Sequence, residues 1–295
     1  MESKWKSTLA VLAITAALAC GMLPLASEPA GAVSTIVAAT LNAATAAAPT
    51  QTSGQPAPAG TAVSFPGGGF VIPHGLASGA SSETIAAVDE QGGAPWDVGP
   101  AYVKITLQGY SLQGTFLEPQ IMVYPAAEYA AASQGAANSI QLLQAILANP
   151  SQMPETGLMP HLPYANAAQI IGAKPQVIAF NGGRGLRVLA EYAQYFATIN
   201  NHDLFYHFEG LTDDGEYYIV ATLPATAPFL AADSDPATVP PAGGVPFPGF
   251  DAVDEIAVET YYTAVTQLLN STADDQFAPS LAALDALIGT LSVSP

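Results

Sequence analysis

The chain has 295 residues, hydrophobic residues at 50% of positions, and a formal net charge of −18 from 24 acidic and 6 basic residues. That apolar content suffices for a sizeable core, and so acidic a chain repels polyanions, which argues against DNA, RNA or an anionic lipid surface as a partner of its folded part. The single cysteine, Cys20, rules out a disulfide within the chain and a thiolate metal site.

Residues 1–32 read as an export signal, with Lys4 and Lys6 ahead of the uncharged apolar run 7–19. Two processing sites compete. Ala17, Leu18, Ala19, Cys20 and Gly21 resemble the lipobox of bacterial lipoproteins, which implies acylation of Cys20; Leu18 stands two and Ala17 three residues before the cysteine. Ala30, Gly31 and Ala32 form the rival, a small-x-small site for ordinary secretory cleavage after Ala32. An uncut transmembrane anchor is the third reading, disfavoured by Pro24 and the cleavage signals. Residues 33–60, rich in Ala, Pro, Thr, Ser and Gly, read as a flexible tether.

From residue 61 to 295 the pattern is that of a single α+β domain. Short extended runs at 61–66 and 70–73 flank three glycines and predict a hairpin; the glycines lack the spacing of a phosphate-binding loop. The alternating run 101–110 and the run 121–125 predict paired strands. Residues 126–148 switch to helical spacing, with Ile140, Leu143, Ile146 and Leu147 on one side, a break at Gly135 and a stop at Asn149 and Pro150. Residues 151–163, with His161, form a Pro-rich loop covering one edge of the domain.

Residues 176–196 predict a hairpin about Asn181 and Gly182. Residues 200–224 predict another, two aromatic and β-branched runs around Asp213, Asp214, Gly215 and Glu216, and this pair is expected at the centre of the sheet. Residues 225–250 have no periodicity and read as an excursion. Helices are expected over 256–269 and 277–291, the second with Leu281, Leu284, Ile288 and Leu291 on one face.

This order gives a mostly antiparallel sheet flanked by helices. The hairpin near Gly69 and Phe70, the helix after the first strands, the Tyr217 and Tyr218 strand after an acidic turn, and the closing helix led by Phe277 together resemble the Mog1/PsbP-type fold seen in several bacterial lipoproteins. The resemblance spans residues 64–291, implies that fold and an exported lipoprotein, and brings no functional residue with it.

Among candidate site residues, His202 and His207 are five apart and point to opposite faces of a strand. With Leu204, Tyr206 and Phe208 facing the core, His207 shares the other face with Asp203, Phe205 and Glu209, a set chemically sufficient for acid/base work but equally an outward polar stripe. The acidic run 213–216 lacks calcium-loop spacing and reads as a solvated turn; Asp233, Asp235, Asp251, Asp254 and Glu255 have no fixed geometry. Arg184 and Arg187 are expected to pair with a carboxylate such as Glu191 or Glu209 in preference to the alternative, bidentate binding of an acidic ligand. The aromatics at 192, 195, 196, 205, 206, 208, 217 and 218 are expected to be core in the main, with some facing a ligand or partner. No Gly-x-Ser-x-Gly elbow and no His-Glu-x-x-His helix occurs, so serine hydrolases and zinc proteases of the common types are disfavoured; no metal or cofactor is expected.

The expectation is an extracytoplasmic binding or accessory protein of the bacterial cell envelope, held at the membrane by a lipid on Cys20 or secreted if cut after Ala32, working with an envelope protein or a small molecule. The alternative is an exported hydrolase with its site on the His207 face or beneath the Pro-rich loops. A concave pocket joining His207 or His161 to a carboxylate is what separates them.

Overall fold

The computed structural model describes residues 59–89, 91–153, 159–163, 165–249 and 255–294. The export signal with Cys20 and Ala32, nearly all of the tether, and Asp251 and Asp254 lie outside the described residues. Among the described residues the fold is α+β, built of antiparallel sheets and helices.

The main sheet has seven strands: β3 (Gly79–Ile85), β4 (Tyr102–Gln108), β5 (Gln120–Pro125), β6 (Ala168–Phe180), β7 (Gly183–Ala193), β8 (Phe205–Thr212) and β9 (Tyr217–Pro224). Their order is β3-β4-β5-β9-β8-β7-β6, and each neighbouring pair is antiparallel. The 200–224 hairpin does occupy the interior of this sheet. Its turn closes through a hydrogen bond from Gly215 N to Thr212 O at 2.9 Å, with Gly215 at φ 74° and the Asp214 carboxylate accepting from Thr212 Oγ1 at 2.6 Å, so these acidic residues serve the turn. The β6–β7 hairpin likewise turns at Asn181 and Gly182, where Gly182 takes φ 83°. Strand β3 has no apolar alternation and was not expected; it is an exposed edge of small and polar residues.

The first predicted hairpin, β1 (Gly60–Phe65) and β2 (Gly68–Pro73), does not join the main sheet. It pairs instead with β10 (Ser292–Val293) from the far end of the chain in a second sheet.

Helices cover both faces of the main sheet. On one face α1 (Ala126–Ala132) and α2 (Gln134–Ala148) pack Tyr129, Ile140, Leu143 and Leu147 against Met122, Leu186, Val188, Phe205 and Val220. The break between them falls at Ser133, not Gly135, because the Ser133 hydroxyl accepts from Ala136 N at 3.0 Å and starts α2 afresh. On the other face α3 (Glu255–Ser271) and α4 (Leu281–Gly289) pack Tyr261, Val265, Leu269, Leu284 and Ile288 against Phe180, Leu189, Tyr206, Phe208 and Leu223. Helix α4 is shorter than the expected 277–291: Pro279 and the capping Ser280, whose hydroxyl accepts from Ala283 N at 3.3 Å, set its start, and Thr290 ends it. Leu291 stays in the core from outside the helix. With both faces covered, every residue of β8 is buried, which is why Phe205, Tyr206 and Phe208 place aromatic rings on both faces rather than in a clean apolar–polar alternation. Among the described residues no helix is long and apolar enough to cross a membrane.

Candidate functional site

The alternation of β8 puts Phe205, His207, Glu209 and Leu211 on the α1–α2 face and Tyr206 and Phe208 on the α3–α4 face. His207 and Glu209 therefore meet, as their spacing predicts, with Nε2 of the imidazole 2.7 Å from Oε1 of the carboxylate. They are not an outward stripe. His207 is 2% and Glu209 1% exposed, because α1, α2 and the segment 159–163 lie over this face.

Glu209 is the hub of a polar cluster whose other members were not foreseen. The Tyr218 hydroxyl, from the neighbouring strand β9, donates to Oε2, and the backbone N–H of Leu162 donates to Oε1. Burial, followed by the charge of Glu209, raises the Tyr218 phenol well above its ordinary value of 10.0, so it stays a donor. Tyr192 lies close by, its ring 6.5 Å from His207, and burial followed by Glu209 raises its phenol in the same way. The covering segment is tied to α2 through His161 N, which donates to Ser139 Oγ at 3.2 Å. Residues 159–163 thus supply a roof, with Met159 and Leu162 fully buried, while His161 has its Nδ1 3.1 Å from Met159 O.

Three buried polar atoms here, His207 Nδ1, Tyr192 Oη and Thr222 Oγ1, have no hydrogen-bond partner among the described residues, and Thr222 stands opposite His207 in register. The chemistry of a His–carboxylate pair is present, but acid/base work needs a substrate atom within hydrogen-bond reach. Two clefts among the described residues lie away from this pair: one is lined by Gly93, Pro95, Val98, Ala132 and Ser133, the other by Lys174, Pro175, Gln176, Arg187, Asn270 and Asp274.

Asp203 is not part of this cluster. It precedes β8, in a turn where its N–H donates to Asn200 Oδ1 at 3.1 Å, its Oδ1 lies 2.6 Å from His202 Nδ1, and its Oδ2 accepts from Asn200 Nδ2 at 2.9 Å. The same asparagine donates from its backbone N–H (3.0 Å) and from Nδ2 (3.1 Å) to Glu191 on β7. Glu191 faces α3 and α4, 1% exposed, and burial, then the nearby Asp203 charge, pushes it well above the usual carboxylate range against the lowering effect of the Asn200 hydrogen bond. This clamp fastens the 198–203 turn to the sheet.

Arg187 pairs with neither of its expected partners. Glu209 lies on the opposite face and Glu191 is taken by Asn200. Its guanidinium, buried at 2% exposure, instead donates from Nη2 to Gln176 Oε1 and has Asp285 of α4 at 3.5 Å and Asp274 at 3.9 Å. Asp285 in turn accepts from Tyr206 Oη at 2.9 Å. Gln176 stands opposite Arg187 in the β6–β7 pairing, but Asp274 and Asp285 come from helical segments later in the chain, so residue spacing within the strands carried no trace of those two. A signal at Lys174 was available: proline after it, inside a strand-like run, marks a bulge.

Among the expected aromatics, Phe205, Tyr206, Phe208 and Tyr218 are core, while Tyr195 and Phe196 are 62% and 42% exposed. Among the described residues no group of three His, Cys, Asp or Glu side chains is placed to hold a metal ion. Comparison with protein-family models, with curated proteins and with solved structures gives no match.

Proposed function

We propose that this chain is a non-catalytic binding or accessory protein of the bacterial cell envelope, exported by its first 32 residues and held at the membrane through a lipid on Cys20. The observation that carries the non-catalytic half is the burial of His207 and Glu209 beneath Met159 and Leu162. A hydrolase needs that pair beside a cleft, and each oxygen of the carboxylate is already committed to protein donors. The export half is supported by the order of charge, apolar run and tether before residue 60. On the same footing the antiparallel sheet with its helices is read as a Mog1/PsbP-type arrangement enlarged by the β1–β2–β10 sheet and the 225–249 excursion.

Intact mass of the chain recovered from membrane and culture fractions tests the anchor: an acylated Cys20 at the mature N-terminus is expected, and an unmodified Val33 start replaces the anchor with free secretion. Incubation of the purified chain with ester, glycoside and phosphomonoester substrates tests the rest. Turnover that disappears in His207→Asn or Glu209→Gln, each verified as folded, overturns the non-catalytic reading in favour of an exported hydrolase.

A further inference from the structure

On the α3–α4 side of the sheet, the edge strand β6 loses register between Ala173 and Gln176. There Lys174 takes φ 55°, the one positive φ at a non-glycine among the described residues. An open cleft of about 350 Å³ lies at this bulge, lined by Lys174, Pro175, Gln176, Arg187, Asn270 and Asp274. Two of the six basic residues of a chain with net charge −18 thus line one cleft.

The internal hydrogen bonds of the cleft wall use the oxygens of its two amides and leave their donors, while Asp274 Oδ2 stands 3.9 Å from Arg187 Nη1. Asn270 Oδ1 accepts the backbone N–H of Lys174 at 2.6 Å, Gln176 Oε1 accepts from Arg187 Nη2, and Asp274 Oδ1 takes Lys174 Nζ at 2.7 Å. The first two contacts fix which way each amide is turned, so the NH₂ groups of Asn270 and Gln176 remain without a partner among the described residues. Lys174 Nζ also donates to Thr272 O at 2.7 Å, which leaves one of its ammonium hydrogens unused. Behind this rim stands Arg187, with Nε and Nη1 buried and without hydrogen-bond partners.

The geometry points to this cleft as the binding site for the carboxylate of a small organic acid. A cation finds no free oxygen on the amides and meets Lys174 and Arg187. A phosphate dianion is disfavoured by charge: Lys174 and Arg187 are matched by Asp274 and Asp285, so the wall offers many donors but little net positive charge, which suits a monoanion. The site gives a ligand class to the binding role proposed above and rests on that reading, though not on the anchor, since a freely secreted form carries the same cleft.

The test is titration of the ¹⁵N-labelled full chain with sodium acetate at constant ionic strength balanced with sodium chloride, reading the side-chain amide signals of Asn270 and Gln176 and the Arg187 Nε–H. Saturable shifts confined to these groups are expected. Asn270→Asp and Gln176→Glu keep the oxygen that accepts from Lys174 or Arg187 but turn the outward donor into a negatively charged acceptor, so each weakens acetate binding by about tenfold to a hundredfold while the backbone amide spectrum stays folded. N-acetylglycylglycine and its C-terminal amide separate the sources: tighter binding of the acid than of acetate indicates a peptide C-terminus, and equal or weaker binding a free organic acid. Non-saturating shifts, equal shifts with chloride alone, variants that bind acetate as the parent does, or tighter saturation by inorganic phosphate each overturn the assignment. Substrate turnover dependent on His207 would instead remove the non-catalytic reading and leave the titration result standing.

Discussion

Replacing Glu209 by alanine tests whether the buried cluster is a structural hub. The side chain accepts from Leu162 N, Tyr218 Oη and, with Nε2 carrying the imidazole proton, His207, and all of these groups are inside the fold. A buried donor left without an acceptor costs about 1 to 3 kcal/mol. Losing three at once costs about 3 to 9 kcal/mol by simple addition, a large fraction of the ~5 to 15 kcal/mol that keeps a domain folded. Neighbouring groups do not add independently and water entering the gap recovers part of the loss, so about 4 kcal/mol is the working figure. Urea unfolding followed by far-ultraviolet circular dichroism measures it, with an unchanged dependence on urea showing that the same surface is exposed. Tyr218→Phe removes a single donor and leaves Glu209 its other partners, so it costs about 1 to 2 kcal/mol. A Glu209→Ala variant within about 1 kcal/mol of the parent refutes the reasoning, since that is the size of an ordinary surface change.

Other expectations follow from the same structure. Glu191 is raised well above 4.5, mainly by burial, and Asp285 above 3.8, also by burial first and against the lowering effect of Arg187. The folded state therefore holds protons that the unfolded chain has released, so stability is fully present below the unfolded values and falls as pH rises toward the folded ones. Thermal unfolding is expected at higher temperature near about pH 5 than near about pH 8, with the slope reduced in Glu191→Gln; a flat profile in the parent contradicts this. Gly185→Ala forces a methyl to within 2.3 Å of Glu209 O and 2.5 Å of the Phe208 ring, opposite Gly210; the backbone oxygen cannot yield, and a loss of about 1 to 3 kcal/mol or failure to fold is expected in denaturant titration. Leu284→Ala, at a fully buried position of α4, costs about 2 to 5 kcal/mol in the same assay.

Local chemistry made much of the fold legible. The β8–β9 and β6–β7 hairpins follow from turn residues between runs of strand-forming side chains, and the helix stops at Asn149 from the proline that follows it. The same alternation brought His207 and Glu209 to one face, because two residues along a strand is a full period. Where the reading stopped was at contacts between distant segments. Leu162 reaches Glu209 across 47 residues of chain, and Asn270 reaches Lys174 across 96; no spacing rule encodes either.

What the sequence by itself determined is most of the elements, the pairing within the hairpins and the side of β8 on which each residue lies, since propensity, turn geometry and the two-residue period all act within a few residues; β3 and β10, without apolar alternation or length, escaped it. What only the tertiary structure decided is which faces are covered and by what. Burial depends on segments remote in sequence, so packing of α1, α2 and residues 159–163 over one face and of α3 and α4 over the other turned a polar stripe into an interior cluster. The same packing brought Asp274 and Asp285 to Arg187 and left the lysine and amide donors of β6 and α3 around an open cleft.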